Sequence, residues 1–165
     1  KTEQPVAEEI RQRFPTLPAH IRVVGPESDV SSYDLAEASA AAIIFGTKMG
    51  LEIALRRVPV IVAGESFVRG KGFTYDASSR QDYFACLDRL PDLPRLDDGQ
   101  FERAQRYGYH FYYRRQMDFP FIEEGTEKTV KRLNLQDVAA LGPGRNPTLD
   151  RICDGLIHGT EFVAP

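Results

Sequence analysis

The stretch AAAIIFGTKMGLEIALRRVPVIVAGESFVRGKG, Ala40 to Gly72, decides the fold. Ala41–Phe45 and Val58–Ala63 are short apolar runs, rich in β-branched residues and without alternation, which predicts two strands covered on both faces. Between them Met49, Ile53 and Leu55 fall at helical spacing. A helix is therefore predicted over Thr47–Arg57, with Lys48, Glu52 and Arg56 four apart on its polar stripe. Gly46 closes the first strand and Gly64 the second. In an open parallel sheet, ligands collect where strands end and helices begin, because unpaired N–H groups point there and the helix dipole favours an anion.

Working outward, Val6–Phe14 fits a short helix that Pro15 and Pro18 stop. Ile21–Val24 reads as a strand, and Ser31 with Asp34 caps a helix over Ser32–Ser39. The order is then β-α-β-α-β, with connections short enough that all three strands should be parallel and the crossovers right-handed, half of a doubly wound fold. Phe73–Tyr75 adds a fourth short strand. Ser79 with Asp82 caps a helix over Gln81–Leu90, with Tyr83, Phe84 and Leu87 inward. Pro91–Asp98 is a proline-punctuated connector to the longest helical pattern, Gly99–Met117. Thr126–Leu133 and Pro147–His158 are further helices, separated by the turn Gly142-Pro143-Gly144.

With 165 residues, 42% of them hydrophobic, the chain can bury one proper core. A net charge of -3 and a pI near 5.7 give no overall field for nucleic acid. Cys86 and Cys153 lie in no CxxC pattern and read as two free, buried thiols in a reducing cytoplasm. His20, His110 and His158 have no ligand spacing, so no metal is expected. No apolar run reaches the roughly 20 residues of a membrane span and no signal peptide opens the chain. A soluble cytoplasmic protein is expected, at most peripheral to a membrane. The opening KTEQPVAEEI has no initiator Met and runs at once into a helical pattern, which suggests a piece of a longer polypeptide.

Four constellations carry possible chemistry. In Gly46-Thr47-Lys48-Met49-Gly50-Leu51-Glu52 the first glycine allows a sharp turn, Thr47 can cap the helix or reach a phosphate oxygen, and Glu52 is placed to accept from a ribose diol. An ordinary cap followed by an ion-pair stripe explains the same residues. In Gly64-Glu65-Ser66-Phe67-Val68-Arg69-Gly70-Lys71-Gly72 a P-loop fails on spacing and lacks the Ser/Thr for magnesium. Arg69 and Lys71 could instead neutralise a phosphate or acidic sugar, or the loop could simply be solvated. Glu27-Ser28-Asp29, with Ser31, Ser32 and Tyr33, should share the same rim or else merely start a helix. Arg103, Arg106, His110 and Arg114 make a basic helical face beside Tyr107, Phe111 and Tyr112, suited to a polyanion or to packing against another domain.

The strings GTKMGLE (46–52), PVIVAGE (59–65) and RGKGFTYD (69–76) resemble those of bacterial capsule polysaccharide biosynthesis proteins, a group that includes Kdo transferases with two Rossmann-like domains of the GT-B type. The resemblance covers about Pro5 to Phe121. It implies an α/β, Rossmann-like three-layer domain with a short parallel sheet over residues 1–121, including the crossing helix 99–117, as the carboxyl-terminal half of a GT-B enzyme. Residues 122–165 would be a helical extension. It further implies Thr47, Lys48 and Gly50 at the donor phosphate, Glu52 at the ribose, and Glu65, Arg69 and Lys71 on the sugar side, with Ser28, Asp29, Gly46 and Gly64 on the same rim. The donor is then a nucleotide sugar, CMP-linked rather than UDP-linked, with no separate cofactor. A His-Pro element, the acceptor half and the catalytic base would lie in an amino-terminal domain of the same polypeptide, so this piece is not expected to be active alone. Polysaccharide-assembly proteins at the inner membrane would be its partners. Phe67 and Gly70 depart from the Trp and Asn of many relatives, so sugar selectivity need not carry over. A non-catalytic interaction module docking through the Arg103–Arg114 face, and half of a nucleotide-sugar epimerase, are the other readings.

Overall fold

The computed structural model describes residues 6–124 and 131–164. Its centre is a three-stranded parallel sheet of β1 (Ala42–Ile44), β2 (Val60–Val62) and β3 (Tyr75–Asp76), in the order β1-β2-β3. Ala42 pairs with Val60, Ile44 with Val62, and Ile61 with Tyr75. All three residues of β2 are fully buried, as an apolar run without alternation requires.

Helices gather around α3 (Met49–Ala54), which buries Leu51, Ile53 and Ala54. Against it lie α2 (Ser32–Ala38) and α5 (Asp98–Tyr109). Leu51, Val58, Val60, Val62, Val68, Phe73, Leu96 and Ala104 form one core with Ile44 and Ala36. Gly108 of α5 lets the two helices close up: a Cβ there would meet Leu55 Cδ1 at 3.4 Å. Helix α4 (Arg80–Asp88) follows β3 and contributes no buried residue. The architecture is thus mixed α/β with a short parallel sheet, compatible with a Rossmann-like fold.

Several expectations need correcting. Ile21–Val24 forms no strand among the described residues: Ile21 N donates to Pro18 O and Ser28 N to Gly25 O, so turns bracket the run and keep it off the sheet. The run lies beside α1 (Val6–Arg13), and the third strand of the sheet is β3 instead. The helix predicted over Thr47–Arg57 is shorter, since Arg57 takes a left-handed φ of 61° at its end. Phe84 faces outward at 48% exposure, while Tyr83 and Leu87 are half-buried. The long helix does not run through to Met117: beyond Tyr109 it widens into a π-helix, His110–Arg114, with Arg115 N donating to His110 O. Cys153 is exposed rather than buried.

In the carboxyl-terminal part, the predicted helix Thr126–Leu133 falls partly outside the described residues. Its last three, Lys131–Leu133, form strand β5, antiparallel to β4 (Ile122–Glu124). Helix α6 (Pro147–His158) has the predicted bounds, with Asn146 capping Leu149 N, Pro147 in its first turn and Gly159 at φ 74° closing it. No helix among the described residues is long and apolar enough to cross a membrane.

Candidate functional site

Two of the three expected loops meet at the carboxyl ends of the strands. A Cβ on Gly46 would sit 3.1 Å from the Glu65 carbonyl, so the turn after β1 and the loop after β2 touch. One residue back on each, a Cβ on Gly64 would lie 2.5–2.9 Å from three atoms of the Phe45 ring. Among the described residues the third constellation reaches the first only through Tyr33, whose hydroxyl donates to Glu52, and its Glu27-Ser28-Asp29 segment makes no hydrogen bond to either loop. Ser28 and Asp29 are exposed, and the Ser28 hydroxyl accepts from Val30 N at 3.3 Å. That loop was expected on the rim because a strand at Ile21–Val24 would have carried it there, and no such strand forms.

Thr47 accepts from Met49 N at 3.3 Å, closing the turn as a cap would, while Lys48 is exposed. Helix α3, only six residues long, offers little dipole to an anion. Gly50 is not at the surface: it is buried, and a Cβ would come within 2.4 Å of Ile44 Cδ1, so it packs the helix onto β1. Glu52 is half-buried and both its oxygens are in use. Tyr33 Oη donates to Oε2 at 2.8 Å and Tyr112 Oη to Oε1 at 3.0 Å. Burial first, then the bond to Glu52, push the Tyr112 phenol up to about 12. The same carboxylate raises Tyr33, over whose ring the Arg56 guanidinium lies at 4.8 Å. The sequence singled out Tyr33, Glu52 and Tyr112 in three separate constellations but not their meeting, which depends on how α2, α3 and the π-helix pack.

Arg69 and Lys71 part company. Arg69 turns inward, its Nε donating to Gly64 O and its Nη2 to Val62 O and Ala77 O, so one guanidinium ties the ends of β2 and β3 together. Lys71 lies over the Tyr107 ring at 5.7 Å, toward α5. Gly70, at φ 71°, donates its N–H to the Asp76 carboxylate at 2.6 Å, and Thr74 Oγ1 donates to the same group at 2.7 Å. The RGKGFTYD string is therefore a loop closed on its own aspartate. The basic face of α5 is also partly committed, with Arg103 Nε bonded to Gly72 O and Arg106 to Glu102.

Where β1, β2 and β3 end, a cavity of about 700 Å³ opens. Gly64, Glu65 and Arg69 line it, as expected, and are joined by Phe45, Arg80 and Tyr83. Ser79 caps α4 by accepting from Asp82 N, and hydrogen bonds from Ser78 and Ser79 hold the Asp82 carboxyl below its ordinary range. The Ser79–Asp82 cap was legible in the sequence, but its place at this edge was not. A second concavity, about 430 Å³ between Met117, Asp118, Arg151 and Val163, holds none of the expected residues. No group of three or more His, Cys, Asp or Glu is placed to hold a metal ion among the described residues.

No family model, no curated protein and no solved structure matches the chain.

Proposed function

We propose that the chain is the donor-binding, carboxyl-terminal half of a GT-B glycosyltransferase of capsule or extracellular polysaccharide biosynthesis, taking a nucleotide sugar, CMP-linked in preference to UDP-linked. One observation carries the reading: the cavity of about 700 Å³ at the carboxyl ends of parallel strands, with two guanidinium groups and a carboxylate in its wall. Its size suits a small ligand, and α/β sheets bind nucleotides at this edge. The resemblance of GTKMGLE, PVIVAGE and RGKGFTYD points to the same edge.

In such a site the protein lowers the barrier by stabilising charge that builds on the leaving nucleotide phosphate. Arg80, exposed and in the cavity wall, is the cation with freedom to reach it, whereas Lys48, exposed on the turn after β1, lies outside that wall. Arg69 holds the strand ends in place. Glu52 does not line that cavity and holds Tyr33 and Tyr112, so a ribose diol would reach it only by displacing the exposed Tyr33. The acceptor and the catalytic base belong to an amino-terminal domain, so transfer is expected only with that domain present.

The test is a titration of the chain with CMP and UDP followed by amide shifts. Movement of the amides of Gly46, Thr47, Gly64, Glu65 and Arg80, larger with CMP, is expected. No movement there with either nucleotide at millimolar concentration refutes the proposal.

A further inference from the structure

The least accommodated side chain at this edge is Phe45. It follows β1 directly with 77% of its surface exposed, although the four residues before it are apolar and Ile44 beside it is buried. The ring is not loose in solvent. Its Cγ, Cδ2 and Cε2 lie 2.5–2.9 Å from where a Cβ on Gly64 would be, so the ring packs against the glycine, and it lines the cavity. Tyr83, half-buried, supplies a second aromatic ring to the same wall. Arg80 also lines it. Its guanidinium lies over the Phe84 ring at 5.6 Å and makes no ion pair among the described residues. Arg69, by contrast, is committed to three backbone carbonyls.

An exposed flat ring backed by a glycine, with an uncommitted cation at the same cavity, matches a ligand that has a planar ring at one end and an anion at the other. We infer that Phe45 is the stacking platform for the base of the nucleotide and that Arg80 takes its phosphate. This deepens the donor-binding reading above and rests on it. Gly64 belongs to the same device, because any side chain there would lift the Phe45 ring off its seat. Stacking on an aromatic side chain is tolerant of which base is presented. The preference between CMP and UDP must then come from polar groups elsewhere on the rim, not from Phe45.

The experiment uses the whole chain and measures affinity for CMP, UDP, cytidine and ribose 5-phosphate in four forms: wild type, Phe45→Ala, Phe45→Tyr and Arg80→Gln. Both positions are exposed, so the variants should keep the wild-type circular dichroism and melting point, which are recorded as controls. Phe45→Ala is expected to weaken CMP and UDP alike by about tenfold or more, the usual scale for losing one stacked ring. It should weaken cytidine similarly, leave ribose 5-phosphate within about twofold, and Phe45→Tyr should restore the loss. Arg80→Gln should weaken CMP and ribose 5-phosphate and leave cytidine unchanged. If CMP binds and both variants bind it like wild type, this assignment is overturned while the donor-binding reading stands. If no nucleotide binds the wild-type chain, both are overturned.

Discussion

Replacing Glu52 with alanine removes the acceptor of two phenols at once. The Tyr33 hydroxyl, at 2.8 Å from Oε2, is exposed and finds water in its place, so its loss costs little. The Tyr112 hydroxyl, at 3.0 Å from Oε1, is half-buried and loses a bond to a charged group, worth roughly 1.5–3 kcal/mol in a dry site and less where solvent screens it. A loss of about 2 kcal/mol is expected for Glu52→Ala, and about half of that for Glu52→Gln, which keeps an acceptor for Tyr112. Urea unfolding near neutral pH reads this as a lowered midpoint at unchanged slope.

The same pair sets an alkaline limit. The folded Tyr112 phenol sits at about 12 against an ordinary 10.0, so its neutral form is the one the fold favours. That contribution is complete below pH 10.0 and is lost as pH rises through about 12. By linkage the ceiling is about 3 kcal/mol, reduced by screening at a half-exposed group to roughly 1–2 kcal/mol. Burial is the first cause of the shift and Glu52 the second, so Glu52→Gln should bring the late-titrating phenol part of the way down, which tyrosinate absorbance resolves. Glu52→Ala within about 0.5 kcal/mol of wild type, together with an unmoved phenol titration in Glu52→Gln, would refute the coupling of the three helices through this carboxylate.

Arg57 holds φ 61° while its guanidinium stacks on Phe101 at 4.1 Å and reaches Leu96 O and Asp98. Arg57→Ala loses those contacts and keeps the backbone strain, whereas Arg57→Gly loses them and relieves it, so the glycine variant should be the more stable of the two by about 1 kcal/mol in urea unfolding. The reverse order would show that the conformation is not strained. Gly50→Ala drives a methyl to within 2.4 Å of Ile44 Cδ1, and overpacking of about 1–3 kcal/mol should exceed the roughly 0.5–1 kcal/mol of helical gain. Adding Ile44→Val removes the offending carbon, and thermal melts of the double variant should recover part of the loss. Strict additivity of the two changes would place the clash elsewhere.

The parts of the fold that local chemistry determines were legible. Asn146, Pro147 and Gly159 mark both ends of α6, Ser31 and Ser79 cap their helices, and the uninterrupted Val60–Val62 run lies in the middle of the sheet. What failed depended on pairing. Ile21–Val24 has the composition of a strand, but strand formation needs a partner edge, and the turns at Pro18 and Gly25 set the run aside. Lys131–Leu133 became a strand because Ile122–Glu124 was there to receive it, which no periodicity over Thr126–Leu133 could report. The π-helix after Tyr109 was likewise invisible, because the aromatic spacing from Tyr107 onward fits either winding.

For the site, the same distinction separates residues that line an edge from residues that remain available on it. Sequence spacing grouped Arg69 with Lys71 as cations in one loop, but charge alone does not decide which can meet a ligand. A guanidinium with three carbonyl partners is a brace: pulling it onto a phosphate would release Gly64, Val62 and Ala77 and loosen the ends of two strands. Lys71 faces α5, too far round to share the cavity. Arg80 entered no sequence argument because it opens a helix beyond β3, yet it lines the cavity and its guanidinium makes no ion pair among the described residues. On the reading proposed above, Phe45 and Arg80 are the groups left to meet a ligand, and Arg69 is the brace that holds the strand ends beside them.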